Sequence, residues 1–287
     1  MKIYINGEWL EQKDARISVF DHGFLYGDGA FEGIRAYNRL VFKLKEHVDR
    51  LYETMHTMMI DVKMTKDQMI KAIMETLRKN NLTDAYIRVV VTRGEGDLGL
   101  DPRKCYGKPT VIIIADKITL YPKELYSKGM AIITVPTVRN NPEALNPLLK
   151  SLNYLNNIFA KIEANNSGFM EAIMLDHQGY VAECTGDNIF IVKDKVLSTP
   201  SQGRLRGITR ETVLELAAQI KLESSERLMT RHEVYTADEC FLTGTAAEII
   251  PVVKVDGRVI GQGNPGPLTT KLIKMFHEAT KTEGLKY

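Results

Sequence analysis

Two domains of ordinary size are the expectation for a chain of 287 residues, because a single hydrophobic core rarely organises so many. Hydrophobic residues at 44% and charged residues at 26% leave enough apolar surface for a packed interior, which excludes a disordered or fibrous chain. A formal net charge of +2, with no Lys/Arg run interleaved with aromatics, offers nucleic acid no basic footprint; no segment approaches the ~20 apolar residues of a membrane span, so the expected setting is the cytoplasm.

Along the chain, Lys2 to Ile5 alternates like a strand, and Ala30 to Tyr37 reads as a second one after the turn-rich Gly27-Asp28-Gly29. Glu46 to Met59 and Thr65 to Asn80 carry apolar residues at helical spacing, with methionines that serve packing. Tyr86 to Thr92 and Thr110 to Ala115 are β-rich, and the segment joining them is full of Gly, Asp and Pro. A boundary is expected at Lys117 to Lys128. Beyond it the spacing predicts short strands at Met130 to Pro136, Glu171 to Leu175, Tyr180 to Glu183, Asn188 to Val192, Lys195 to Ser198 and Glu239 to Thr243. Helices are expected at Leu155 to Asn165, Thr209 to Ile220 and Leu268 to Thr280. The expected division is therefore an N-terminal domain over residues 1–116, a linker over 117–127 and a C-terminal domain over 128–287.

Several motifs lose on context. Gly94-Glu95-Gly96-Asp97-Leu98-Gly99 matches GxGxxG after a strand, but Leu100-Asp101-Pro102 resists the helix that a dinucleotide site requires at that point. The six histidines show no ligand spacing, and Cys105, Cys184 and Cys240 show neither CxxC nor a disulfide framework, so no metal is expected and the thiols are read as reduced.

A different set of residues suits one cofactor. Pyridoxal phosphate needs a lysine to condense with its aldehyde, a carboxylate to keep a proton on its ring nitrogen, and backbone N–H groups for its phosphate. Lys150 follows the apolar Ala144 to Leu149 stretch; a surface lysine is the more frequent reading of such a site. Glu183 ends a strand-like run before the turn Cys184-Thr185-Gly186-Asp187; a solvated strand-end glutamate is again the blander reading. Gly207-Ile208-Thr209 opens a helix whose N–H groups could hold phosphate, and Gly244-Thr245-Ala246-Ala247-Glu248 is a small-residue turn that could receive an anion. Taken singly, none of these decides.

Their order and wording do. Asp21-His22-Gly23-Phe24-Leu25-Tyr26-Gly27-Asp28-Gly29-Ala30-Phe31-Glu32-Gly33-Ile34-Arg35 opens a series continued by Glu46-His47-Val48-Asp49-Arg50-Leu51, Lys150-Ser151-Leu152-Asn153-Tyr154, Glu183-Cys184-Thr185-Gly186-Asp187-Asn188, Gly207-Ile208-Thr209-Arg210 and Gly244-Thr245-Ala246-Ala247-Glu248. This series, spread over nearly the whole chain, resembles the fold-type IV pyridoxal-phosphate enzymes, and within them the branched-chain aminotransferases. The resemblance implies an α+β fold with a smaller N-terminal α/β domain and a larger, β-rich C-terminal pseudo-barrel domain with flanking helices. It also implies transamination between leucine, isoleucine or valine and 2-oxoglutarate.

By that resemblance Lys150 carries pyridoxal 5′-phosphate and moves the proton between the substrate Cα and the cofactor. Glu183 pairs with the ring nitrogen, Tyr154 bonds the phenolate oxygen, Leu205 lies against the ring, and Arg50, Gly207, Ile208, Thr209, Gly244 and Thr245 belong to the phosphate end. Phe31 and Gly33 match the apolar part of the substrate pocket; Tyr26, Tyr86 and Arg88 match its polar part, Arg35 belongs to the same substrate-binding set, and Thr245 and Ala246 receive the α-carboxylate. Leu98 and Leu100 match a loop that reaches across a homodimer in relatives. Cys184 stands where many relatives have glycine and Lys117 where some have tryptophan, which touches pocket size. D-amino-acid transaminases, (R)-amine transaminases and aminodeoxychorismate lyases share Lys150 and Glu183. The wording Phe31-Glu32-Gly33-Ile34-Arg35 with Tyr86-Ile87-Arg88 favours the branched-chain group, and the Asp97 to Pro102 loop lacks the Arg-x-His element of the D-specific enzymes.

Overall fold

The β-rich run after the Gly27-Asp28 turn forms a nine-residue strand in the interior of an antiparallel sheet. In the computed structural model, which describes residues 1–118 and 120–287, the chain packs as two compact units. The first comprises Met1–Ile118, Leu149–Asn153 and Thr280–Tyr287; the second comprises Thr119–Leu148 and Tyr154–Ala279.

The first unit holds β1 (Lys2–Ile5), β2 (Glu8–Glu11), α1 (His22–Tyr26), β3 (Gly29–Tyr37), β4 (Leu40–Phe42), α2 (Leu44–Thr57), α3 (Lys66–Lys79), β5 (Ala85–Thr92) and β6 (Thr110–Asp116). Its seven strands run in the order Gly284–Lys286, β4, β3, β5, β6, β1, β2. Every pair in this sheet is antiparallel. Strand alternation divides the sheet chemically. Ala85, Ile87, Val89 and Val91 of β5 are buried in a core with Ile34, Val48, Leu51, Met55, Met69, Ile73 and Leu77, where α2 and α3 lay their apolar faces on the sheet. Tyr86, Arg88 and Val90 are only partly buried and leave by the opposite face. Helix α3 starts with a capping box, Thr65 Oγ1 accepting from Gln68 N while the Gln68 side chain accepts from Thr65 N.

The second unit holds α4 (Lys123–Lys128), β7 (Met130–Thr134), α5 (Leu155–Asn166), β8 (Ala172–Leu175), β9 (Val181–Cys184), β10 (Asn188–Lys193), β11 (Val196–Pro200), α6 (Ile208–Gln219), β12 (Ser224–Arg227), α7 (Arg231–Tyr235), β13 (Glu239–Gly244), β14 (Glu248–Val255), β15 (Arg258–Val259) and α8 (Pro267–Ala279). Its sheet runs β12, β11, β10, β13, β14, β7, β8, β9, with β15 on β14. The sheet curls: Val181 at one end of this order donates to Met229 O, just past the strand at the other end, at 2.7 Å. Such curling is the pseudo-barrel expected of the fold.

Some local expectations need correction. The boundary segment Lys117 to Lys128 contains α4, and its Thr119 lies outside the described residues. Strand β14 has no counterpart among the strands expected from the sequence, and it holds Pro251 in a central position. The ladder shifts register between Val252 and Lys254 on its parallel neighbour β7. Glu183 is one residue inside β9 rather than at its end. The three cysteines are free thiols. Among the described residues no group of His, Cys, Asp and Glu could hold a metal ion, and no helix is long and apolar enough to cross a membrane.

Candidate active site

Residues 150–152 run beside β3. Phe31 N donates to Lys150 O at 2.9 Å, and Leu152 N donates to Gly29 O at 2.8 Å. Lys150 N is 3.4 Å from Thr54 Oγ1 of α2. The backbone of the lysine is thus held by a strand and a helix, while its Nζ sits 4.5 Å from the centroid of the Phe31 ring. A cation over an aromatic face is attracted to the ring quadrupole.

The β3–β5 register places Phe31 opposite Val90, Gly33 opposite Arg88 and Arg35 opposite Tyr86, so all six residues use one face of the sheet. Arg88 Nη2 donates to Tyr86 Oη at 3.0 Å, and the guanidinium carbon lies 4.6 Å from the Phe31 ring centroid. Gly33 makes room for this arrangement. The face therefore joins an amine, an aromatic wall, a guanidinium and a phenol, a mixture that can border an apolar side chain or bind a carboxylate.

On the other face of the same strand, Glu32 points into the helix side, fully buried, and accepts from Arg50 through both oxygens. Burial alone would raise the Glu32 carboxyl, but the Arg50 guanidinium and the hydrogen bonds from Arg50 and His47 outweigh it and hold it well below the usual carboxylate range. Burial pushes the His47 imidazole down despite the pull of Glu32.

Helix α1 begins with Asp21, whose carboxylate accepts from Gly23 N, Thr92 Oγ1 and Thr110 Oγ1, each at 2.8 Å. From this anchor His22 Nε2 bonds Asp97 O at 2.8 Å and Tyr26 Oη donates to Leu98 O. The loop so held presents Leu98 and Leu100 to solvent, 67% and 79% exposed. Tyr26 is thus tied to the loop.

In the second unit Glu183 is buried and densely partnered. Arg139 Nε donates to its Oε1 at 2.7 Å; Leu205 N at 2.9 Å and Asn188 Nδ2 at 3.2 Å donate to Oε2. Asn188 Nδ2 also donates to Leu205 O at 2.9 Å, so one amide ties Leu205 to the carboxylate. These donors orient an ionised carboxylate, and each oxygen retains acceptor capacity. Leu205 leads into Gly207, the N-cap of α6, where a Cβ would fall 2.1 Å from Asn188 Oδ1. No side chain caps that helix, so the N–H groups of Ile208 and Thr209 lie at an end suited to an anion. Thr245 and Ala246 occupy the β13–β14 turn closed by the Gly244–Glu248 pair, and Tyr154 is the N-cap of α5.

The structure thus gathers the expected residues into two groups. Tyr26, Phe31, Gly33, Arg35, Arg50, Tyr86, Arg88, Leu98, Leu100 and Lys150 lie in the first unit. Tyr154, Glu183, Leu205, Gly207, Ile208, Thr209, Gly244, Thr245 and Ala246 lie in the second. Sequence reading assigned no role to Glu32, His47, Arg139 or Asn188. Glu32 had a weak signal, a charge inside the apolar run Ala30 to Ile34. Arg139 had none.

The family model of amino-transferase class IV matches residues 29–255. A protein of Methanocaldococcus jannaschii, provisionally named as a branched-chain-amino-acid aminotransferase, is 55% identical over 288 residues, covering 100% of this chain and 99% of the relative. The crystal structure of the Escherichia coli branched-chain amino acid aminotransferase superposes with a TM-score of 0.95 at 36% identity, covering 99% of this chain and 96% of that one. The branched-chain amino acid aminotransferase of T.th., solved with N-(5′-phosphopyridoxyl)-L-glutamate and with 4-methylvaleric acid, gives 0.92 at 35% identity, covering 98% and 94%.

Proposed function

The chain belongs to the class IV aminotransferase family, and from that premise we propose that it moves amino groups between branched-chain L-amino acids and 2-oxoglutarate with pyridoxal phosphate carried on Lys150. The observation that supports this reading best is the β3–β5 face, where the Lys150 amine, the Phe31 ring and the Arg88–Tyr86 pair lie together. One surface there suits both halves of the exchange. The aromatic ring and the stem of Arg88 border an aliphatic side chain, and the guanidinium binds the second carboxylate of a dicarboxylic partner.

The residues fit the cofactor. Glu183 is buried, ionisable and held by three donors, as a carboxylate that keeps a proton on a ring nitrogen should be. The uncapped start of α6 suits a phosphate. When bound, pyridoxal phosphate supplies the electron sink that lets a proton leave the substrate Cα. Lys150 Nζ would hold the cofactor and, as a free amine once the substrate's amino group has displaced it, would move the proton between the substrate Cα and the cofactor's C4′. Tyr154 would donate to the phenolate oxygen and Leu205 would lie against the ring. Arg50, Gly207, Ile208, Thr209, Gly244 and Thr245 would form the phosphate end, and the N–H groups of Thr245 and Ala246 would receive the α-carboxylate.

A homodimer working in the cytoplasm completes the proposal. The exposed Leu98 and Leu100, and the exposed Leu155, Ile158, Phe159 and Ile162 of α5, support self-association. Borohydride reduction followed by peptide mapping tests the assignment of Lys150, with the label expected at that residue. Turnover of L-leucine beside D-alanine and (R)-1-phenylethylamine tests the substrate class, and a faster reaction with either of the last two would overturn it.

A further inference from the structure

Glu32 has no part in the chemistry above, yet the geometry around it is specific. It lies on β3 next to Phe31, whose N–H holds the Lys150 carbonyl, and it is 0% exposed. Its Oε1 accepts from Arg50 Nε at 2.7 Å, and its Oε2 accepts from Arg50 Nη2 at 2.9 Å and from His47 Nδ1 at 2.8 Å. Because an ionised carboxylate only accepts, His47 donates to it through Nδ1–H. His47 and Arg50 are three residues apart on α2, so both reach the strand from one helical face.

An arginine side chain left to itself samples many rotamers. Here the carboxylate occupies the Nε/Nη2 edge as a two-pronged pair, which fixes the plane of the guanidinium. His47 in turn fixes the carboxylate. We infer that Glu32 is a positioning residue, which acts through Arg50 to set the guanidinium for the cofactor's phosphate, with His47 steadying the carboxylate. The inference rests on the reading above that Arg50 belongs to the phosphate end of the site. It assigns β3 two tasks on its two faces: Phe31 and Gly33 line the substrate side, and Glu32 organises the phosphate ligand.

The test measures dissociation constants of the full-length protein for pyridoxal phosphate, for pyridoxal, which lacks the phosphate, and for inorganic phosphate. Wild type is compared with Glu32→Gln, Glu32→Asp and Arg50→Lys, and each variant is checked by thermal melting. Glu32→Gln should weaken pyridoxal phosphate and inorganic phosphate by roughly 10- to 100-fold, the scale of a lost charge-assisted bond, and change pyridoxal by no more than about threefold. Glu32→Asp should shift the ratio of the two cofactor affinities in the same direction by a smaller factor. That variant carries the test if Glu32→Gln does not fold. A merely structural role would lower the melting temperature and leave the ratio unchanged. An unchanged ratio in the Glu32 variants with a lowered ratio in Arg50→Lys overturns this inference alone. An unchanged ratio in all of them removes Arg50 from the phosphate site as well.

Discussion

Tyr86 lies so close over Gly33 that a Cβ on the glycine would sit 2.1 Å from the tyrosine hydroxyl oxygen. That oxygen accepts the 3.0 Å bond from Arg88, so the lack of a side chain at Gly33 decides where the Tyr86–Arg88 pair stands. Gly33→Ala should displace Tyr86 and Arg88 together. We expect kcat/KM for L-leucine to fall roughly 10- to 100-fold, the scale of a misplacement near 1 Å, while the melting temperature moves little. Steady-state kinetics with a thermal melt separates this outcome from unfolding, and an unaltered kcat/KM would show that the close approach has no bearing on the substrate.

Arg88→Ala should discriminate between the two substrates. The dicarboxylic partner loses a charge-assisted pair, which predicts a rise in its KM of about 30-fold. Leucine loses only contact with the aliphatic stem, worth roughly threefold. Parallel titrations of 2-oxoglutarate and L-leucine measure both, and equal losses would argue against a shared pocket.

Removing the Lys150 amine should cost the proton transfer without costing the fold. The backbone of the residue carries the bonds to Phe31 and Thr54, and these survive truncation of the side chain. Lys150→Ala should lower transamination by roughly 10³-fold or more with an unchanged circular dichroism spectrum. Turnover persisting in that variant would refute the assignment.

The second unit carries a buried acid pair with a pH signature. Tyr121 Oη lies 3.2 Å from Glu171 Oε2 and 2.9 Å from Asp187 Oδ2, and one hydroxyl hydrogen cannot bond both carboxylates at once. Burial, reinforced by the Glu171 charge, pushes the Asp187 carboxyl up to about 7. The folded state therefore holds a proton that the unfolded chain has already released near pH 4, and stability falls as pH rises from about 4 to about 7. Asp187→Asn removes that dependence. Its stability relative to wild type should be on the order of 2–4 kcal/mol more favourable at pH 8 than at pH 4, or roughly 4–10 °C in Tm. Thermal melts of both proteins across that range check the sign, and parallel curves would show that Asp187 is ionised throughout.

Local chemistry made much of this molecule legible in advance. The apolar spacing of Val48, Leu51 and Met55 and of Met69, Ile73 and Leu77 marked α2 and α3, because a helix that buries one face must repeat its apolar residues at 3.6. Alternation marked β5, whose two faces meet different surroundings. For Lys150 and Glu183 the local signal favoured ordinary surface residues, and it was the order of whole motifs that singled them out. Partnership across the fold was another matter. Arg139 lies 44 residues before Glu183, and Glu32 lies on a different element from His47 and Arg50. Strand pairing and helix packing bring these groups together, and a ladder partner leaves no mark on the residues adjacent in sequence. Residue types and local elements were therefore determined by the sequence as it reads along the chain. Which charge meets which, and which face of β3 each neighbour uses, was decided by tertiary structure alone, because buried ionic groups acquire their partners only when distant segments close around them.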